Sequence, residues 1–275
     1  MLMEHVLQKN RAWLIAHDDQ SLSTDQSERF DSLVRQRQHG QPMAYLIGER
    51  EFLGRMFHVS PAVLIPRPET EQLVETGLAC LANHEPAYGA ASVLDLGTGS
   101  GIIAISMACN REGLQVMATD VSQAALEVAT RNACFHQVQI EFRLGSWYQA
   151  VPVDAEFDLI LSNPPYIQEG DEHLSQGDLR HEPRGALTDG ADGLSAILEI
   201  VQGAVDHLKP GGWLWVEHGY NQAEQVRSIF NQIGFRDIES KTDLAGIPRI
   251  TGGRLLPNTT CVTTQRHRFK FKKRS

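Results

Sequence analysis

The chain reads as an α/β protein, a doubly wound, mostly parallel sheet preceded by a small helical unit. Two observations predict this. From Val93 onward, short apolar runs alternate with amphipathic segments of helical period, and that order builds a parallel sheet with helices on both faces. The first of those runs leads into Asp95-Leu96-Gly97-Thr98-Gly99-Ser100-Gly101. A glycine-rich turn there lies where doubly wound folds hold ligands, at the carboxyl end of a strand.

Taken in order, residues 1–50 form the helical unit. Val6, Trp13 and Leu14 mark one amphipathic segment, and Phe30, Leu33 and Val34 mark a second, capped near Ser23 and Thr24 with Ser27 and Glu28 following. After Gly40 and Pro42 a short apolar piece runs to Gly48. This unit carries no glycine loop and no catalytic cluster, so it is read as a segment that packs on, or recruits, a substrate. Residues 51–67 change texture to short extended pieces turning at Gly54 and Pro61, a hairpin linker. The main domain spans 68–256. Pro68, Glu69 and Glu71 suit a first helical turn leading through Leu73, Val74, Leu78 and Leu81, with a loop around Pro86-Ala87-Tyr88-Gly89 beyond it.

Val93–Leu96, Val116–Thr119, Val138–Phe142, Phe157–Ser162 and Trp213–Glu217 are the predicted strands. Helices follow from Ile102, through Ala124 to Ala129, from Leu194 to Val205 and from Ala223 to Ile233, and Lys209-Pro210-Gly211-Gly212 reads as a helix stop. Extended pieces near Phe235–Ser240 and Arg249–Leu256 close the domain, and 257–275 form a basic tail.

Composition narrows the function classes. A net charge of −9 argues against broad nucleic-acid binding, so no stable nucleic-acid partner is expected. The exception is the run Arg266–Arg274, read as a solvated tail with a weak RNA contact as its alternative. The four cysteines are scattered without a Cys-x-x-Cys pair, which speaks against structural zinc or a disulfide framework. No signal peptide or membrane span is legible, so a cytoplasmic protein with no membrane partner is expected. The histidines show no spacing that suits a metal, and none is expected.

Three motifs carry chemistry. Gly97, Thr98, Gly99, Ser100 and Gly101 allow a tight turn that brings backbone N–H groups close to a ligand. Asp120, at the end of the second strand, can accept both hydroxyls of a ribose. Trp147, after the third strand, either lies against an adenine face or packs in the core. Asn163-Pro164-Pro165-Tyr166 follows the fourth strand: the prolines cannot extend a ladder, hold Asn163 extended and leave carbonyls unpaired. An amide, carbonyls and an aromatic ring at one strand end make a receptor for a planar NH2 group. All three motifs open on the same edge of the sheet. Arg67, between two prolines, is a further candidate for contact with a ligand or partner.

This order of motifs resembles the class I S-adenosylmethionine-dependent methyltransferases, a Rossmann-like fold. Pro66-Arg67-Pro68-Glu69-Thr70-Glu71, Asn163-Pro164-Pro165-Tyr166-Ile167, Glu182-Pro183-Arg184-Gly185-Ala186-Leu187, Asp192-Gly193-Leu194, Glu217-His218-Gly219 and Asp243-Leu244-Ala245-Gly246 resemble the protein-glutamine N5 methyltransferases of the PrmC/HemK family. The resemblance covers about Glu51 to Leu255; Ser146 stands before Trp147 where the family usually has an acidic residue. It implies S-adenosylmethionine as cofactor, held by Gly97–Gly101, Asp120 and Trp147 with Asn163 beside them. It also implies peptide-chain release factors as partners, modified on the glutamine of a Gly-Gly-Gln loop. Asn163 and Pro164 then accept the amide hydrogens, Tyr166 bounds the amide plane, and Pro165 and Arg67 complete the substrate contacts. The rival reading is an exocyclic-amine methyltransferase of adenine or guanine; it calls for a basic groove and an inserted recognition domain, neither visible in this sequence.

Overall fold

The computed structural model describes residues 1–82 and 90–256. The loop around Pro86–Gly89 and the basic tail, including Arg266–Arg274, lie outside the described residues. The N-terminal part holds α1 (Leu2–Leu7), α2 (Arg11–Ala16), α3 (Thr24–Gln38) and α4 (Met43–Ile47). The first amphipathic segment is thus two helices rather than one. Gln8 takes a left-handed φ of 54°, and Asn10 restarts the helix by accepting from the Trp13 N–H at 2.9 Å. The cap of α3 is a reciprocal box between Ser23 and Gln26, not Ser27 or Glu28.

The hairpin is β1 (Glu49–Phe52) with β2 (Arg55–His58), turning at Leu53-Gly54. It is fastened to the main domain from both sides. Glu71, at the start of α5 (Glu71–Ala82), accepts from the Leu53 N–H at 3.0 Å, and Phe52 and Phe57 are buried in the core. Residues 63–65 are not a strand; they run without regular structure past Glu182.

The main sheet contains β3 (Ser92–Leu96), β4 (Gln115–Asp120), β5 (Glu141–Leu144), β6 (Phe157–Ser162), β7 (Leu208–Glu217), β8 (Arg236–Thr242) and β9 (Pro248–Arg254). Its seven strands lie in the order β5-β4-β3-β6-β7-β9-β8, and β9 alone runs opposite to the other six. Alternate residues of β3 and β6 feed the two faces. Val93, Leu159 and Leu161 join α5 and α6 (Ile102–Asn110), with Ala133 of α7 (Gln123–Phe135); Leu94, Leu96 and Ile160 join α8 (Ser195–His207) and α9 (Ala223–Ile233). Among the described residues, no helix is long and apolar enough to cross a membrane.

Two strand boundaries differ from the sequence reading. The third parallel strand starts at Glu141 rather than Val138, because Gln137, just past the His136 cap of α7, takes φ 58° and turns the Val138 N–H back to the Ala133 carbonyl. β7 starts at Leu208, so the Pro-Gly-Gly stretch lies inside a strand whose register against β6 shifts between Phe157 and Leu159. Pro210 and the two glycines after it punctuate the helix and loosen the ladder without ending it.

Across β7 and β9, Trp215 stands opposite Gly252, and a Cβ on that glycine would meet a ring carbon of Trp215 at 2.2 Å. Gly252→Ala is expected to destabilise the fold by about 1–3 kcal/mol through overpacking. A urea melt with a lower midpoint and an unchanged slope checks this.

Candidate active site

The carboxyl ends of β3, β4 and β6 border an open cavity of about 1090 Å³, solvent at its mouth included. Its wall contains Gly97–Ser100, Asp120, Trp147, Asn163, Pro165 and Arg67. Gly101, Pro164 and Tyr166 are not in the wall. The topology explains the site: β3 has β4 on one side and β6 on the other, so successive crossovers diverge and leave a crevice at the strand ends.

The glycine loop is built for close approach. Gly97 and Gly99 take φ of 73° and 56°, and no atom lies within 4 Å of where a Cβ on Gly99 would sit. Gly101, at φ 83°, begins α6, and a Cβ there would press on Ile105 and Ala129; its role is packing of the helix against α7. Beneath the loop, Asp95 accepts from the Thr98 hydroxyl at 2.6 Å and from the Ala104 N–H at 3.2 Å. Burial pushes its carboxyl up to about 7, the two hydrogen bonds opposing that shift.

Asp120 is tied to the same loop. One carboxylate oxygen accepts from the Gly99 N–H at 2.9 Å and the other from the Ser122 N–H at 2.8 Å. Burial raises its pKa while these bonds lower it. Trp147, at a left-handed φ of 44°, lays its ring edge 3.1 Å from where a Cβ on Gly97 would be, and its carbonyl accepts from the Thr119 hydroxyl. The ring packs partly against the core and also lines the cavity.

The Asn163 amide nitrogen donates to the Thr70 hydroxyl oxygen at 3.1 Å, and that hydroxyl donates to Glu217 at 2.7 Å. Thr70 has a single hydroxyl hydrogen, already given to Glu217, so it can only accept from Asn163. The amide therefore presents its nitrogen inward. Its oxygen has no partner among the described residues and is not sealed in the interior. The second oxygen of Glu217 accepts from the Tyr166 hydroxyl at 3.2 Å. Tyr166 is thus turned to Glu217 by its hydroxyl and stands outside the cavity wall, which departs from the expectation that its ring bounds the amide plane. Its backbone is anchored too: Gln222 donates to the Tyr166 carbonyl at 3.0 Å, and Gly193 passes so close to that carbonyl that a Cβ would meet it at 2.2 Å. No described residue donates to the Pro164 carbonyl.

Arg67 borders the cavity with its guanidinium engaged by Glu182, whose side chain is fully buried and whose other oxygen accepts from the Ile65 N–H at 2.9 Å. Its visible contact is therefore with the protein itself. The pair binds the segment before α5 to the stretch Pro183, Gly185 and Ala186, which closes another side of the cavity. Thr70, Glu182 and Glu217 stand in the sequence reading only as members of motifs, without a role of their own, and Gln222 does not stand there at all. The available signal was a lone carboxylate ending the apolar strand Trp213–Glu217; Thr70 was concealed in a good helix start.

A family profile described as Methyltransferase small domain matches residues 70–181, and one described as PrmC N-terminal domain matches residues 1–48. The release factor glutamine methyltransferase of Bordetella pertussis is 51% identical over 255 residues, covering 93% of this chain and 93% of that protein. The protein of the same name from Neisseria gonorrhoeae is 46% identical over 257 residues, covering 93% and 92%. A crystal structure of a methyltransferase from Pyrococcus furiosus has a TM-score of 0.54 at 18% identity, covering 82% of this chain and 99% of that one, which shows the shared fold. With such identity sustained along nearly the whole of both lengths, the chain belongs to the release factor glutamine methyltransferase family.

Proposed function

We propose that the protein transfers a methyl group from S-adenosylmethionine to the side-chain amide nitrogen, N5, of the glutamine in the Gly-Gly-Gln loop of peptide-chain release factors. The observation that carries this reading is the Asn163 amide, with its nitrogen held inward and its oxygen open beside the glycine loop and Asp120. The names of the relatives support the choice of a glutamine amide on a release factor.

The residues present fit the cofactor. Gly97 and Gly99 leave the backbone bare, Asp120 has lone pairs for a ribose diol, and Trp147 offers a ring on the same wall. When bound, S-adenosylmethionine supplies an activated methyl group on a sulfonium.

A glutamine amide nitrogen is a poor nucleophile because its lone pair is delocalised into the carbonyl, as in a peptide bond. The Asn163 oxygen accepts one of its N–H groups, and the unpaired carbonyl of Pro164, which lies between the wall residues Asn163 and Pro165, accepts the other and fixes the amide. Both acceptors favour positive charge growing on that nitrogen, so they bind the transition state more strongly than the ground state. Methylation replaces one N–H by N–CH3 and releases one proton. Tyr166 acts from behind, through Glu217. Pro165 and Arg67 shape the mouth through which the loop enters.

A release factor whose loop glutamine is replaced by glutamate tests the reading. That side chain lacks the N–H groups which Asn163 and Pro164 accept, so label transfer from the cofactor falls to background. Undiminished labelling of the glutamate variant contradicts the proposal.

A further inference from the structure

The residues behind Asn163 are held by hydrogen bonds that converge on the Glu217 carboxylate. Asn163 donates to Thr70 at 3.1 Å, Thr70 donates to Glu217 at 2.7 Å, and Tyr166 donates to the other Glu217 oxygen at 3.2 Å. The four residues come from three distant parts of the chain. Thr70 stands just before α5, Asn163 and Tyr166 follow β6, and Glu217 ends β7. Thr70 and Glu217 are 0% and 1% exposed, so water does not compete for these bonds. A carboxylate is the one side chain here that accepts from both sides without donating.

We propose that Thr70, Glu217 and Tyr166 are positioning residues that set the polarity of the Asn163 amide, keeping its oxygen toward the substrate only while Glu217 is ionised. The proposal rests on the acceptor role given to Asn163 above. Its physical content is a proton count. A proton on the Glu217 oxygen that faces Thr70, the closer of its two contacts, donates to Thr70; the Thr70 hydrogen then turns to Asn163, and the amide must present its oxygen inward and its NH2 outward. Two NH2 groups would then face each other, and a glutamine amide would not be accepted. Turnover therefore requires the ionised carboxylate.

The surroundings place this titration in a useful range. Burial pushes Glu217 up to about 7; the Thr70 and Tyr166 hydroxyls and the Arg249 guanidinium pull it down, and Glu69 pushes it up. Arg249 is itself paired with Asp243 at 2.8 Å. The adjacent His218 bonds to Thr251 and to the Gly219 carbonyl, and burial lowers its pKa toward the neutral form. With the active form above the transition, kcat falls as the pH drops through neutrality.

Thr70→Val removes the hydroxyl at nearly constant shape and is expected to lower kcat by about 10- to 100-fold through misorientation, with cofactor affinity near that of the wild type and a lower melting temperature, because the buried Glu217 carboxylate and the Asn163 NH2 each lose a partner. Thr70→Ser, which keeps the hydroxyl, restores most of kcat. In Glu217→Gln the acid limb of the kcat profile disappears, whatever the level of activity, because an amide does not titrate there. Side-chain amide NMR of the protein with labelled asparagine gives a readout independent of turnover: the Asn163 NH2 signals shift in Thr70→Val and are restored in Thr70→Ser. Wild-type kcat in Thr70→Val, an acid limb that persists in Glu217→Gln, or Asn163 signals unmoved by Thr70→Val overturns the proposal. Asn163 signals that shift in Thr70→Val, together with a wild-type protein that leaves the release factor unmodified, overturn the substrate reading and leave the positioning role standing.

Discussion

Asn163→Ala is expected to lower kcat by about 10²–10³-fold, the cost of removing one preorganised group aimed at developing charge, while cofactor affinity stays near that of the wild type. The geometry separates the two effects. The glycine loop and Asp120 hold each other through the Gly99 N–H, and Asn163 reaches neither, its nitrogen being bound to Thr70. Removing its side chain deletes the acceptor for the substrate amide and leaves the loop intact. Asn163→Asp is informative for a different reason. It keeps an acceptor oxygen but turns a second acceptor toward Thr70, whose only hydroxyl hydrogen is on Glu217. Two acceptors then face each other in a buried place, so this variant also loses turnover and in addition loses stability. Calorimetry with S-adenosylmethionine and a single-turnover assay on the release factor measure the two quantities separately. Turnover near the wild-type level in Asn163→Ala removes the residue from the mechanism.

Arg67→Ala is expected to destabilise the protein by about 3 kcal/mol, toward the low end of what breaking a buried ion pair costs. The pair is asymmetric: the Glu182 side chain is fully buried while Arg67 keeps 29% exposure. Losing the guanidinium leaves Glu182 with only the Ile65 N–H as partner in the interior. Glu182→Gln in the same chain removes the stranded charge, so the double variant is more stable than the sum of the single changes predicts. Thermal melts of the four proteins give that coupling directly. The same set tests Arg67 as a substrate contact. A purely internal role changes stability and leaves KM for the release factor in place once the double variant restores the fold, whereas a contact with substrate raises KM in both arginine variants.

Much of the arrangement was legible before any coordinates, because its signals are local. The alternation of buried strands and amphipathic helices, the glycines after β3, Asp120 after β4 and the prolines after β6 each follow from the chemistry of a few neighbouring residues. Their meeting on one sheet edge follows from the order of the strands. What the sequence did not disclose depends on distant partners. Nothing around Thr70 distinguishes a side chain that orients an amide from an ordinary residue of a first helical turn, since its partners are Asn163 and Glu217. Arg67 looked free because its partner, Glu182, is far along the chain. Tyr166 looked like a wall of the site because its hydroxyl's partner lies on β7. The displaced boundaries have a similar origin. Val138 has the composition of a strand but is claimed by the end of α7, and Leu208 to Gly212 have the composition of a turn but are paired with β6 and the chain near Leu255.

The acceptor in this reaction is a glutamine amide on a release factor. A release factor incubated with the protein and S-adenosylmethionine, digested and mapped by tandem mass spectrometry, tests it most directly. The predicted result is one added methyl group on the side-chain nitrogen of the Gly-Gly-Gln glutamine, absent when Asn163→Ala replaces the wild type. A methyl group on any other residue, or an unmodified release factor beside a methylated base in added RNA or DNA, contradicts it.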